Sequence, residues 1–492
     1  MTALAAMALW LHPVLLTALA LRVAAGEADA PWLVLGALIA PLVALLAPSR
    51  RTLERGGPAA IATGAVLAVL LAADFLVAGE AAALLGGAPW QGVACAAVVA
   101  LLVVAWPDTA RAGAPALVLG VVALLLPLGA VAVGVGSAPW SAWTRAASRP
   151  ALTFSEHGPW SREGERVALG TRLAFGDGQR VTAVTPGTFR VIEHDTPQPT
   201  VREWRLAAGE TLTLRPGDEL AVPSGARLRF QAGRRIPGAP ASGPDWADAP
   251  ARGPGMLPAA LGVLVTLLGA ALAVVPSAPR GARAAVAGPL ALLVALTGAV
   301  GWGVYTAAMA PELALGGSSL APLLRLPILG HATRGRLLAL LALLALGFIL
   351  LAVAAAARAR LATVVAPAPG FWAATVAVAA ALAMGLSDPW WLLMTGLGLA
   401  AAALAPMRLA SSRVAALAGS VVGATAFVAL SLLPVLAPGA PAWLGVLARY
   451  PALLAMPMAL LVAWLLGTAQ KRRPPARGEA RADRVEEAAP VV

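Results

Sequence analysis

The feature that most constrains this chain is a succession of long apolar runs with almost no charge in them. Stretches of about 20 residues hold little besides Ala, Leu, Val and Gly. A backbone in hydrocarbon finds no water to bond. Such a run is therefore viable only as a helix that satisfies its own N–H and C=O groups. Of the 492 residues, 59% are hydrophobic and 12% charged, and the charges crowd into residues 139–254 and the C-terminal tail. A soluble domain carries about a quarter charged residues. The predicted fold class is an α-helical polytopic membrane protein with about 12 transmembrane helices and an inserted extracytoplasmic β-rich domain.

The predicted spans lie at roughly 2–21, 31–48, 58–78, 88–106, 115–136, 255–275, 284–307, 336–357, 368–386, 389–406, 413–437 and 443–468. They divide the chain into an N-terminal membrane region at 1–138 (about five helices), the β-rich domain at 139–254, a C-terminal membrane region at 255–470 (about seven helices), and a disordered tail at 471–492. The run at the start lacks a basic leader and reads as a retained first helix rather than a signal peptide.

Arginine punctuation sets the expected orientation. Arg50, Arg51, Arg55, Arg111, Arg280, Arg283, Arg358, Arg360, Arg408, Arg413, Lys471, Arg472 and Arg473 fall on one face if the spans alternate. The positive-inside rule makes that face the cytoplasm. Both termini are then cytoplasmic, residues 139–254 lie outside, and the expected location is the bacterial plasma (inner) membrane. Arg22 dissents, as do Arg325, Arg334 and Arg336. A half-helix or re-entrant segment near 310–335 would account for the last three.

The polar insert reads as β. Residues 188–192 (TFRVI) and 201–206 (VREWRL) suit strands, and 210–230 alternates apolar and polar with turns at Pro216-Gly217 and Pro223-Ser224-Gly225. Period-two alternation broken by Pro and Gly predicts a small sandwich or barrel. Residues 232–254, rich in Gly, Pro and Ala, read as a tether.

Several chemistries are excluded or disfavoured. The single cysteine, Cys95, rules out an internal disulfide, a CxxC pair and haem attachment. A net charge of +12 without a basic stripe and interleaved aromatics gives no nucleic-acid surface. No GxSxG, HExxH or Walker loop is present, and no cofactor or catalytic residue is predicted. Glu193, His194 and Asp195 make only a single strand-end cluster, so no metal site is assigned.

Ionisable residues inside spans are candidates by default, because burying them in lipid costs about 2.5–3.5 kcal/mol. Asp74 stands near the end of the third predicted span, where it reads as interfacial, and His12 lies in the first. Asp388 precedes Pro389 and suits a turn or helix cap. No span presents paired carboxylates or a carboxylate–histidine relay, which weighs against a proton pump. Ser411, Ser412, Ser420, Thr425 and Ser431 are candidate solute or cation ligands, set against helix packing by small residues. The candidate substrate- or ion-binding set is Asp74, Asp388, Ser411, Ser412, Thr425 and Ser431. Trp90, Trp140, Trp390, Trp391 and Trp443 fit an interfacial belt.

Three segments resemble the sodium:solute symporter family, especially its cation/acetate symporter branch: 411–433 (SSRVAALAGSVVGATAFVALSLL), 449–467 (RYPALLAMPMALLVAWLLG) and 73–79 (ADFLVAG). The resemblance implies cation-coupled transport of a small organic solute, with Na+ or H+ as the coupling ion. It transfers no binding residue. The chain departs from that family after Gly86, where the family's broken first helix would follow, and in carrying an external domain. Two other readings stand beside transport. One is a non-transporting membrane subunit or assembly factor whose outer β domain binds a protein partner. The other is an envelope lipid-linked transferase using Asp74, Glu80, Asp388 and His331.

Overall fold

The computed structural model describes residues 7–27, 29–46, 57–105, 109–135, 138–148, 152–153, 172–176, 178–194, 199–223, 226–231, 256–275, 282–309, 313, 318–330, 334–365, 369–433 and 441–472. The predicted tether at 232–254 lies outside these residues, as does the tail beyond 472, with His157, His331 and Asp195.

The N-terminal helices are α1 (Pro13–Ala25), α2 (Ala30–Leu46), α3 (Gly57–Leu84), α4 (Pro89–Leu102), α5 (Thr109–Val135) and α6 (Pro139–Ser148). After the strands come α7 (Met256–Val274), α8 (Ala282–Met309), α9 (Ala321–Gly330), α10 (Gly335–Val364), α11 (Pro369–Gly385) and α12 (Pro389–Leu399). A π-helical turn, Ala400–Leu404, joins α12 to α13 (Ala405–Leu409), and α14 (Arg413–Ser431), α15 (Ala442–Arg449) and α16 (Ala452–Arg472) complete the helices.

Among the described residues, seven stretches of helix are long and apolar enough to cross a membrane: Gly57–Leu84, Gly113–Gly134, Ala287–Met309, Gly335–Val364, Pro389–Leu409, Arg413–Ser431 and Ala452–Gln470. Five shorter apolar helices stand at the other predicted spans, 13–25, 30–46, 89–105, 260–274 and 369–385. The chain thus has the helices of a multi-pass membrane protein. Two predicted spans are broken locally: the first is interrupted at His12-Pro13, and the last is split by Tyr450-Pro451. The residue before a proline is pushed out of the helical region, so both interruptions follow from the sequence.

Large apolar side chains such as Ile61, Val98, Leu126, Leu337, Val421 and Leu461 lie exposed on the helices. An apolar surface this extensive is expected against lipid. Trp90, Trp140, Trp391 and Trp443 are exposed in the first turns of α4, α6, α12 and α15. Trp390 instead is half-buried, with the Arg22 guanidinium 4.3 Å from its ring centroid.

Small residues let the helices close up. A β-carbon at Gly92 on α4 would collide with the Ala78 carbonyl of α3, and one at Gly423 on α14 with the Ala402 carbonyl of the π turn. Near Arg325, α9 is a ten-residue helix whose residues 321–327 are all buried. A short helix therefore does stand within the segment that the dissenting arginines marked.

The strands form two antiparallel four-stranded sheets, ordered β1-β8-β3-β6 and β2-β7-β4-β5. They are β1 (Leu152–Thr153), β2 (Arg172–Ala174), β3 (Gln179–Ala183), β4 (Gly187–Glu193), β5 (Thr200–Leu206), β6 (Thr211–Leu214), β7 (Glu219–Ala221) and β8 (Arg227–Phe230). Both sheets feed one core: Leu173, Phe189, Val191 and Leu220 from one, Val181, Leu212, Leu214 and Phe230 from the other. This is a small sandwich. The Pro216-Gly217 turn takes φ 92° at Gly217, which glycine adopts without strain. The boundary predicted at 139 falls at the start of α6, a helix that packs on α8.

Gly92→Val should destabilise the helical body by about 1–3 kcal/mol, the usual cost of overpacking. Gly347→Val, at a site with nothing within 4 Å, should be close to neutral. Denaturant unfolding in detergent, followed by tryptophan fluorescence, compares the two.

Candidate functional site

The first helical segment holds the site. Residues 7–10 make a helical turn, residues 11 and 12 leave the helix, and Pro13 opens α1. His12 is the N-cap, with extended backbone (φ −64°, ψ 138°). The amide groups of the first turn of α1 then have no helical acceptor and must find one elsewhere.

Asp74 supplies it. Helix α3 runs 28 residues, about 42 Å, longer than a bilayer core of about 30 Å. Asp74 lies ten residues before its end, well inside that length. The carboxylate Oδ2 is 2.7 Å from His12 Nδ1, and Oδ1 accepts from the Val14 N–H at 3.4 Å. Both side chains are essentially inaccessible, 2% exposed for His12 and 0% for Asp74. The second ring nitrogen, Nε2, is buried with no hydrogen-bond partner among the described residues. The structure thus brings together, across two segments, a carboxylate and a histidine that no single span presents.

Neighbouring contacts fix this geometry. Trp10 Nε1 donates to the Ala37 carbonyl at 2.7 Å, tying the short turn to α2. On α8, Gly303 leaves room for the backbone of Ala20 and the side chain of Val23 on α1. Trp302 Nε1 donates to the Leu124 carbonyl at 3.2 Å, fixing α8 against α5.

A second polar group gathers near the C-terminal ends of α1 and α3. Arg22 donates to Glu27 at 2.7 Å and to Asp29 at 2.6 Å while lying over Trp390. Glu80 accepts from Ser319 at 3.2 Å and Ser318 at 3.4 Å, just ahead of α9, and Asp388 is within electrostatic reach of it.

The other predicted residues do not converge on the pair. Asp388 caps α12, accepting from the Trp391 N–H at 2.9 Å. Ser412 caps α14, accepting from the Ala415 N–H at 3.2 Å. Ser431 donates to the Phe427 carbonyl within its own helix at 2.8 Å. Ser411 packs against Gly467 on α16, and Thr425 is exposed. In the β sandwich, Glu193 pairs with Arg202 at 3.4 Å and His194 is exposed. Among the described residues no three His, Cys, Asp or Glu side chains stand together as a metal site would require.

Of the predicted set, then, Asp74 alone takes part in a buried ionisable pair. Its partner was legible only as the His-Pro dipeptide that breaks a span. They stand 62 positions apart in the chain, with no local signal of the contact.

No family model matches the chain, and no curated protein or solved structure matches it.

Asp74→Ala leaves His12 Nδ1 and the Val14 N–H without an acceptor, at an expected cost of about 1–3 kcal/mol. Replacing both partners with apolar side chains, His12→Leu with Asp74→Leu, should cost less than the two single changes summed. A double-mutant cycle on thermal stability in detergent measures that coupling.

Proposed function

We propose that this protein is a secondary transporter of the bacterial plasma membrane, moving a small organic solute together with a cation. In this reading both termini are cytoplasmic and the β sandwich lies outside. The observation that carries it is the His12–Asp74 pair at the interruption before α1. Transporters commonly place substrate and coupling-ion sites at discontinuous helices near the bilayer midplane. An ionisable pair buried in a membrane span is costly, and that cost points to a use.

Further interruptions support the reading. The π turn at 400–404 interrupts the 389–409 segment, and π segments are frequent at functional sites. Tyr450-Pro451 splits the last predicted span, and α9 is too short to cross a bilayer. Each supplies a place where helices can shift relative to one another without unwinding a full span.

One observation favours a different role, a non-transporting subunit or assembly factor. Strand β5 is exposed at six of its seven residues, including Val201 and Trp204, and pairs only with β4 among the described strands. An open strand edge of this kind accepts a partner strand readily.

Counterflow uptake of labelled small organic anions into proteoliposomes tests the transport reading. Gradient-dependent accumulation by the native chain, abolished by Asp74→Asn, is the expected result. No sodium- or proton-dependent uptake across a broad panel contradicts it. Stoichiometric recovery of a partner in a mild-detergent pull-down that fails on Trp204→Ala would favour the second role instead.

A further inference from the structure

The geometry points to the proton as the ion that the His12–Asp74 pair takes up, with His12 Nε2 as the atom that receives it. This rests on the transport reading above and names its coupling ion.

The groups around the carboxylate carry the inference. Among the described residues, both atoms bonded to Asp74 are nitrogens, His12 Nδ1 and the Val14 amide. The amide belongs to the first turn of α1, the positive end of a thirteen-residue helix. Helix N-termini favour anions, so the positive end of α1 opposes a second fixed cation beside the carboxylate. A metal cation at Asp74 would share both carboxylate oxygens with N–H donors and face that positive end. A proton displaces nothing, because a lone pair waits at Nε2, buried and unbonded.

The proton count closes. In the unloaded state Nδ1–H donates to the carboxylate, Nε2 carries its lone pair, and the pair bears one negative charge. One proton from the aqueous phase binds Nε2. The imidazole becomes imidazolium beside the carboxylate, and the pair is neutral overall. Release of that proton to the opposite phase restores the first state. Neutralising a buried charge lowers the cost of holding the pair in hydrocarbon, so the loaded form is the one better suited to move.

The remaining described charged or titratable groups on the elements packed against α1 and α3 are few. Tyr305 lies on α8 and Arg325 on α9. Glu80 accepts from Ser318 and Ser319, Asp388 caps α12, and Arg22 is held by Glu27 and Asp29. Cys95 on α4 is exposed, and Arg336 is exposed at the start of α10. Arg358 and Arg360 bind helix-end carbonyls near the other end of α10, and Arg408 does the same beyond the π turn.

Nitrogen-15 NMR of histidine-labelled full-length protein in lipid vesicles tests this directly. The chain has four histidines, and the His12 signal is assigned by its loss in His12→Gln or by its survival when His157, His194 and His331 are replaced. The expected result is a His12 Nε2 resonance that moves from its unprotonated to its protonated position as pH falls. It should be unchanged when sodium chloride replaces choline chloride at fixed pH. Asp74→Asn should move the His12 Nδ1 resonance, which loses its carboxylate acceptor, and Asp74→Glu should largely restore it. A resonance that shifts with sodium at constant pH, or stays fixed throughout the pH range, overturns the inference. The transport reading fails separately, if His12 titrates as described and yet no solute moves.

Discussion

A helix end leaves backbone groups without a partner in the helix, and several of this chain's polar side chains take them up. Asp74 takes the Val14 amide at the start of α1. Asp388 and Ser412 take amides at the starts of α12 and α14. At the other polarity, Arg408, fully buried, donates to the carbonyls of Leu272 (2.7 Å), Ala44 (3.2 Å) and Val275 at the ends of α7 and α2. Arg358 donates to the Val103 carbonyl just past α4, and Arg360 reaches the Ala273 carbonyl at 3.4 Å. The signs are consistent: carboxylates meet helix N-termini and guanidinium groups meet C-termini, as the helix dipole favours.

This gives the arginine punctuation a second physical meaning. In the sequence it serves as a sign of which face is cytoplasmic. In the structure three of those arginines fasten the ends of α2, α4 and α7 to the segments that carry them. A group that satisfies helix-end carbonyls at one membrane face is held there by its hydrogen bonds as well as by its charge. Asp74 stands apart from the other caps. It alone also holds a second ionisable side chain, and its site is essentially closed to solvent.

What the sequence made legible follows the range of each signal. The sandwich was readable because strand alternation is local: Val181, Leu212, Leu220 and Phe230 sit at the inward positions of the period-two pattern. Helix positions were readable from apolar runs, and their lengths less so, because Pro13 and Pro451 shorten two of them. Asp74 was visible as an ionisable residue, but ending its span near 78 left it at the surface. The helix in fact continues to Leu84, ten residues beyond Asp74. The serines were misleading for a different reason. Hydroxyls in helices bond their own backbone, as Ser431 does, and composition alone cannot separate that use from ligand binding. Contacts between distant segments, His12 with Asp74 or Glu80 with Ser319, leave no trace in either segment taken alone.

The account stands or falls on where the His12–Asp74 pair sits. Cryo-electron microscopy of the full-length protein in a lipid nanodisc measures this against the visible bilayer slab. The predicted map has the imidazole and carboxylate within hydrogen-bond distance, at the break before Pro13, inside the hydrocarbon layer. A continuous first helix, or a pair lying at headgroup level or separated by solvent, would contradict it.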